Sequence, residues 1–251
     1  MNNPKVSIVI ATFNSEKTIE RALTSVRNQA FQDWECIVID GASKDSTMSI
    51  VKKFAEVDER FRYLSEPDTG IYNAFNKGWR LAKGTWIYYL GSDDELLPNG
   101  LDELFRQAHH ESEDHFIYGH VDFRNLDGTI VKHKHFTHTT LPWKTFACHQ
   151  GLITRRSLIA EYGGYDEKLR ILADKELIIG TFMKGGITYE PTEATIAIFT
   201  AGGTSSNYYN AFIEDLYIWY KNHSGFKHLL YILQHYPRMW WRMQVNKMRS
   251  N

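Results

Sequence analysis

Between residues 5 and 109 the chain alternates short apolar, β-branched runs with amphipathic stretches of helical length, and few folds accommodate that order. Val6-Ser-Ile-Val-Ile-Ala, Trp34-Glu-Cys-Ile-Val-Ile, Phe61-Arg-Tyr-Leu and Trp86-Ile-Tyr-Tyr-Leu read as strands. Glu16 to Asn28, Asp45 to Val57 and Gly70 to Ala82 read as the helices between them. Strictly alternating strands and helices imply a parallel sheet with helices on both faces. Right-handed crossovers keep the strands pointing one way, so the residues just after each strand meet at one edge, where open α/β sheets bind ligands. Those residues are Thr12-Phe13-Asn14, Asp40-Gly41-Ala42-Ser43, Glu66-Pro67-Asp68 and Ser92-Asp93-Asp94, a rim of polar and acidic groups. A dinucleotide fold would carry Gly-x-Gly-x-x-Gly after the first strand. This chain has Ala11-Thr-Phe-Asn-Ser there, which disfavours a dehydrogenase.

At 251 residues and 43% hydrophobic composition, one core is the default expectation. A net charge of -1 gives no global case for nucleic acid as a partner. Cys36 and Cys148 make neither a metal spacing nor a disulfide framework, so a reduced, cytoplasmic setting is expected. No apolar run reaches the roughly 18 residues that span a bilayer, and Val6 to Ala11 is a strand rather than a leader.

Beyond residue 115 the pattern changes. Phe116 to Phe123 and Thr129 to His133 suggest a hairpin turning through Asn125-Leu-Asp-Gly. Helices are expected near Arg155 to Tyr162 and Ala173 to Lys184, and a strand from Thr195 to Thr200. This divides residues 1–207 into a nucleotide half of about 1–110 and an acceptor half of about 111–207.

Asp93-Asp94, leaving an aromatic strand for a turn, is the most chemically pointed pair in the chain. Hard cations such as Mg²⁺ and Mn²⁺ take oxygen ligands, commonly one or two carboxylates completed by substrate phosphates. Asp also favours turns for purely local reasons, so the pair alone carries either reading. Phe13 suits a ligand-facing aromatic or a core position, and Asp40 sits at a strand end followed by Gly41, where a ligand can approach the backbone. Asn73, Asn76 and Lys77 lie within one helical turn and can share a face with Asp68 nearby. There Lys77 can meet a phosphate as a point charge, or the group can be a solvated helix end.

Taken in order, Val6-Ser-Ile-Val-Ile-Ala-Thr-Phe-Asn, Ile39-Asp-Gly-Ala-Ser-Lys-Asp-Ser-Thr, Glu66-Pro-Asp-Thr-Gly-Ile-Tyr-Asn-Ala-Phe-Asn-Lys-Gly, Gly91-Ser-Asp-Asp and Ala173-Asp-Lys-Glu give the chain a resemblance. From Val6 to Asn207 it resembles the family 2 glycosyltransferases of the GT-A fold, especially bacterial enzymes that build surface polysaccharides. The resemblance implies an α/β fold with a mostly parallel central sheet flanked by helices. It also implies a nucleotide-sugar donor, usually UDP-linked, held by Thr12, Phe13, Asn14 and Asp40. The family's Asp-x-Asp motif corresponds to Ser92-Asp93-Asp94, making Asp94 the ligand of Mg²⁺ or Mn²⁺ and Asp93 a ribose or outer contact. Ser92 in place of the first aspartate leaves one fewer negative ligand.

By the same resemblance Asp174 is the catalytic base, with Ala173 where an acid usually precedes it. His149 and Gln150 are expected to line the donor sugar or diphosphate. Gly202-Gly-Thr-Ser-Ser is expected to form a loop over the diphosphate or a plain connection. The implied chemistry is an inverting transfer of a sugar onto a saccharide acceptor, which the family often carries on a polyprenyl diphosphate. A nucleotidyltransferase would share the nucleotide half, but its Gly-rich, lysine-bearing loop is absent after the first strand. A noncatalytic sugar-nucleotide-binding relative would have shed the carboxylates that Asp40, Asp94 and Asp174 retain.

Residues 208–251 read as a separate helical extension. From Leu216 onward it carries Lys221, Lys227, Arg238, Arg242, Lys247 and Arg249 with no Asp or Glu, among many Trp and Tyr residues. Phe226, Leu229, Leu230 and Leu233 follow helical spacing. Such a segment suits a membrane interface on the inner face of the cytoplasmic membrane, or packing against protein.

Overall fold

The computed structural model describes residues 3–108, 114–132, 148–202 and 208–249, except the side chains at 208 and from 239 onward. The loop expected over 203–206, His133, and the side chains of Trp240, Trp241, Arg242, Lys247 and Arg249 lie outside the described residues.

The four expected strands form as β1 (Val6–Thr12), β2 (Trp34–Asp40), β3 (Phe61–Ser65) and β4 (Trp86–Gly91). They are joined by α1 (Ile19–Arg27), α2 (Thr47–Val57) and α3 (Ile71–Leu81). They pair in parallel in the order β3-β2-β1-β4. All seven residues of β2 are buried, as befits a strand covered on both faces. Register then aligns the strand ends: Thr12 lies opposite Asp40, Asp40 opposite Ser65, and Ala11 opposite Gly91.

The period-2 alternation of β-strands divides the core into two apolar clusters, one per face. Ile8, Ile10, Cys36, Val38 and Tyr88 meet α1 and α2 on one side, and Val9, Ile37, Ile39 and Tyr89 meet α3 on the other. Helix α1 buries Ile19, Ala22, Leu23 and Val26, the i, i+3, i+4, i+7 stripe of an amphipathic helix. Gly78 lets α3 approach β1, because a Cβ there would run into the Val9 side chain.

The rest of the sheet is mixed. After β5 (Glu95–Leu96) and α4 (Gly100–Gln107) come β6 (Phe116–Arg124), the two-residue β7 (Ile130–Val131), β8 (Leu152–Arg155) and β9 (Tyr189–Thr200). Among the described residues the sheet has nine strands and continues β4-β8-β6-β9-β5, with β7 paired to β6 as the expected hairpin. Strand β8 is antiparallel to both β4 and β6, while β6 and β9 are parallel. The expected strand at Thr195–Thr200 is therefore the second half of a longer one. Helices α5 (Arg156–Tyr162) and α6 (Ala173–Lys184) lie close to their expected positions.

Helices α7 (Tyr208–Lys221) and α8 (Gly225–Arg249) follow β9. They are less separate than the sequence suggests. Ile218 of α7 is fully buried in the cluster that contains Leu177 and Ile178 of α6, and Lys221 pairs with Asp166 at 2.8 Å and Glu176 at 2.9 Å. Among its described side chains, α8 buries Ser224, just before its start, with His228 and Ile232. The apolar stripe legible in the sequence is another face: Phe226, Leu230 and Leu233 are exposed, Phe226 by 74%. Among the described residues no helix is long and apolar enough to cross a membrane.

Candidate functional site

Four parallel strand ends set the rim. Thr12 is buried, and its hydroxyl has no hydrogen-bond partner among the described residues. Phe13 is 60% exposed, which excludes the core reading of this residue. Asn14 takes a left-handed backbone with φ 48°; its N–H donates to Ser43 Oγ at 2.8 Å and its Oδ1 accepts from the Lys44 N–H at 2.9 Å. The loops after β1 and β2 are thereby locked to each other. Asp40 is fully buried, accepting from the hydroxyls of Ser43 and of Ser65, the latter at 2.6 Å. Above it, Gly41 has no side chain, and the Asp68 carboxylate and the Phe13 ring lie over the space a Cβ would take.

The end of β4 carries the acidic pair. Ser92 Oγ lies 3.0 Å from Ser15 Oγ, joining this turn to the one after β1. The Asp93 carbonyl accepts from Arg21 at 2.6 Å and from the Thr200 hydroxyl at 2.7 Å. Asp94 is 1% exposed, and its Oδ1 accepts the Thr200 N–H at 2.7 Å. Burial, with the neighbouring Asp93 charge, pushes the Asp94 carboxyl up to about 7 despite hydrogen bonds from Thr200 and Gln150. Its Oδ2 lies against the bare α-carbon of Gly91.

Thr200 reaches this turn because β5 and β9 pair antiparallel, Glu95 opposite Ile198. No local pattern in the sequence announces it. Arg21 is equally hidden, one of two arginines in α1, and it also pairs with Glu95 at 2.8 Å.

A 3-10 turn at His149–Gly151 precedes β8 and lies beside the end of β4, where the Tyr88 hydroxyl donates to the Gln150 carbonyl at 2.7 Å. This turn links the two carboxylate centres. Gln150 bonds Asp94, while the Asp174 carboxylate acts on His149 and both Asp94 and Asp174 act on Cys148. Burial pushes the Cys148 thiol up to about 12, so it stays neutral. The His149 ring stacks on Tyr89 with centroids 5.2 Å apart and packs beside Phe75 at 5.4 Å. Burial lowers its pKa against the opposing pull of Asp174.

Asp174 sits in the first turn of α6, where the helix dipole favours a carboxylate. Its Oδ1 accepts from the Tyr72 hydroxyl at 3.2 Å and from the Lys175 N–H at 2.8 Å. Tyr72 shares its single hydroxyl proton between Asp174 and the Ile171 carbonyl, which lies nearer at 2.6 Å. Burial and the Asp174 charge push the Tyr72 phenol well above its usual range, so it remains a donor.

The structure corrects one expectation. Asn76 is buried with its amide fully used: Nδ2 donates to the Tyr165 carbonyl at 2.9 Å and Glu167 at 2.7 Å, and Oδ1 accepts from the N–H groups of Tyr165 and Trp79. With all four bonds made to protein, it braces α3 against residues 165–167 and has nothing left for a donor. Asn73 bonds Glu167 at 2.8 Å on the same side. Lys77 is held by Glu66 and the Pro67 carbonyl, each at 2.9 Å, at the end of β3.

Among the described residues no group of three or more His, Cys, Asp or Glu side chains could hold a metal ion. The acidic pair nevertheless fits a divalent cation shared with a ligand. Asp94 is a buried carboxylate whose ionisation is opposed by a like charge, and a cation would relieve both costs.

Comparison with known proteins gives a consistent answer. The family model "Glycosyl transferase family 2" matches residues 7–170. A Mycobacterium tuberculosis protein named "PGL/p-HBAD biosynthesis glycosyltransferase" is 33% identical over 212 residues, 82% of this chain and 81% of that one. S. aureus TarS 1-349 in complex with UDP-GlcNAc superposes with a TM-score of 0.66 at 18% identity, over 86% of this chain and 66% of that one. Mannosyltransferase PcManGT from Pyrobaculum calidifontis, in complex with GDP-Man and Mn²⁺, gives 0.68 at 16% identity, over 94% and 72%. The two structures establish a shared GT-A fold.

Proposed function

The chain belongs to glycosyl transferase family 2, and on that premise we propose that it transfers a sugar from a UDP-sugar to a saccharide acceptor, with inversion, in the synthesis of a surface polysaccharide. The observation that carries this reading is the pairing of two differently placed carboxylates across the His149–Gly151 turn. Asp94 is buried beside a like charge, and Asp174 is held at a helix start by a phenol that stays protonated. One suits a cation and the other a proton.

Asp94, with Asp93 behind it, would hold Mg²⁺ or Mn²⁺. When bound, the cation offsets the charge of the leaving diphosphate. The nucleoside would lie along Thr12, Phe13 and Asn14, with the exposed Phe13 ring against the base. Asp40 would lie at its inner edge, with the Asp68 carboxylate beside Gly41 next to it. Gln150 and His149 would line the diphosphate and sugar, His149 as a neutral ring on its aromatic floor.

Asp174 takes the proton of the acceptor hydroxyl as that oxygen bonds to the anomeric carbon and the bond from that carbon to UDP breaks. A single displacement inverts the centre. The Tyr72 hydroxyl bond keeps the Asp174 carboxylate oriented for this step. The UDP-GlcNAc held by TarS and the Mn²⁺ held by PcManGT support the choice of donor class and cation.

The acceptor we favour is a saccharide on a polyprenyl diphosphate at the inner face of the cytoplasmic membrane. Exposed Phe226, Leu230 and Leu233 beside Lys227 give α8 the face that such a surface would take up. The test is UDP release from a panel of UDP-sugars with Mn²⁺ and a saccharide acceptor. Acceptor-dependent release from one of them is expected. Transfer of a nucleotidyl group instead, or no release from any donor, sinks the reading.

A further inference from the structure

Helix α6 begins without a side-chain cap of its own: Leu172 occupies the capping position. The residues leading into it are held instead from α7, over 40 residues later in the chain. Glu214 Oε1 accepts the N–H of Arg170 at 2.7 Å, and Oε2 accepts those of Ile171 at 3.0 Å and Leu172 at 2.9 Å. The peptide unit that Glu214 holds through the Leu172 N–H presents its other end, the Ile171 carbonyl, to Tyr72, whose hydroxyl also reaches Asp174. A continuous path of hydrogen bonds therefore runs from Glu214 through Ile171 and Tyr72 to the Asp174 carboxylate.

The next residue of α7 adds a second tie to the same turn. Asp215 Oδ2 accepts from Lys175 Nζ at 2.6 Å, and Lys175 directly follows Asp174. Asp215 is fully buried and Lys175 nearly so. On the other oxygen, His228 Nε2 lies 3.3 Å from Asp215, with its Nδ1 2.6 Å from Ser224 Oγ. Burial opposes ionisation of Asp215, but the His228 bond and the Lys175 charge outweigh it and hold the carboxyl below its usual range. A buried ion pair of this kind is a rigid tether, since breaking it strands a charge.

We propose that Glu214 and Asp215 are positioning residues: helices α7 and α8, outside the nucleotide half, set the placement of Asp174 for proton transfer. The proposal rests on the reading of Asp174 as the base. It makes the C-terminal helices part of the catalytic apparatus whatever their dealings with membranes. General-base catalysis is sensitive to placement, an error near 1 Å costing on the order of 100-fold. Among the described residues no hydrogen bond or ion pair joins Glu214 or Asp215 to Thr12, Asp40 or the Asp93–Asp94 turn, and Glu214 approaches the rim only through Arg170, which donates to the Thr69 carbonyl, so donor binding should be insensitive to both.

Glu214→Gln tests this in the full chain. The amide has one acceptor oxygen and turns donors toward the backbone, so at least one of the three N–H groups loses its partner. Turnover is expected to fall about 10- to 100-fold when counted per nucleotide-binding site, with the donor KM and the affinity for UDP unchanged. Counting per binding site removes any loss of folded protein from the result. Glu214→Asp retains the charge at shorter reach and should recover part of the rate; it also decides the question if Glu214→Gln does not fold. Normal turnover per site in the folded variant, or a loss matched by a weakened donor KM, overturns the proposal. Asp174→Asn measured alongside separates the two ideas. If that variant turns over normally the base assignment fails, whereas an inactive Asp174→Asn with a normal Glu214 variant refutes the positioning role alone.

Discussion

Replacing Asp94 by Asn should stabilise the metal-free protein at alkaline pH while removing its activity. The Asp94 carboxyl is raised from an ordinary 3.8 to about 7, first by burial and then by Asp93. A raised carboxylate pKa means that between these values the native state holds a proton the unfolded chain has released, so stability falls as pH rises. The penalty is absent below about 4, grows up to about 7, and is constant above it. A shift of roughly 3 units at about 1.4 kcal/mol each places the ceiling near ~4 kcal/mol. Asn mimics the protonated carboxyl and can keep the oxygen that accepts from Thr200. For a chain of this size each kcal/mol moves the melting temperature by about 2–4 °C. Differential scanning fluorimetry in chelator should therefore show Asp94→Asn melting on the order of 5–15 °C above wild type at pH 8. Roughly two thirds of that gain should be gone by pH 5. Adding Mn²⁺ at pH 8 should raise the wild type and leave the variant unmoved, since only a ligand of the native state stabilises it. Equal melting temperatures at pH 8, or a gain of the same size at both pH values, would refute the account of Asp94 as a carboxylate kept strained for a cation.

Asp174→Asn should keep nucleotide binding by calorimetry but lower kcat by about 10² to 10⁴, the usual span for losing a general base; a near-normal rate, with Glu176→Gln inactive instead, would move the base along the helix. Gly91→Ala places a Cβ against Asp94 Oδ2 and 2.9 Å from Asp93 Oδ1. It should therefore abolish the Mn²⁺-induced rise in melting temperature, and a rise of wild-type size would show that the Gly91 surface is not where the cation sits. An α-linked UDP-sugar should yield a β-linked product, and an α product by NMR would contradict single displacement. Vesicles containing phosphatidylglycerol should co-sediment the protein at low salt and release it at high salt, with Phe226→Ser/Leu230→Ser/Leu233→Ser binding markedly less. Equal recovery of both proteins in the pellet would rule out the exposed face of α8 as the contact.

The nucleotide half was legible because its determinants are local. Short, nearly continuous apolar runs mark β1, β2 and β4, stripes of period 3.6 mark α1 and α3, and right-handed crossovers then force Thr12, Asp40, Ser65 and Gly91 onto one rim. Ordered motifs added what periodicity lacks, a pointer to the acidic pair and to Asp174. The pattern also marked Phe226, Leu230 and Leu233 as one face of α8. It did not reveal that Ser224 and His228 form the packed one, because their burial depends on Asp215.

What the amino-acid order settled on its own is thus the alternation of elements and the identity of the groups at the strand ends. The tertiary structure alone decided the environment of those groups. Asp94 is pinned by Thr200 across 106 positions and Asn76 is consumed by Tyr165 across 89, while Glu214 caps the approach to α6 across 42 to 44. Periodicity reports which face of an element is buried but not against what. The partners are chosen when β8, β6 and β9 add to the parallel strands and α7 docks on α6, and the burial that accompanies those contacts turns an ordinary acidic turn at Asp93-Asp94 into a strained carboxylate.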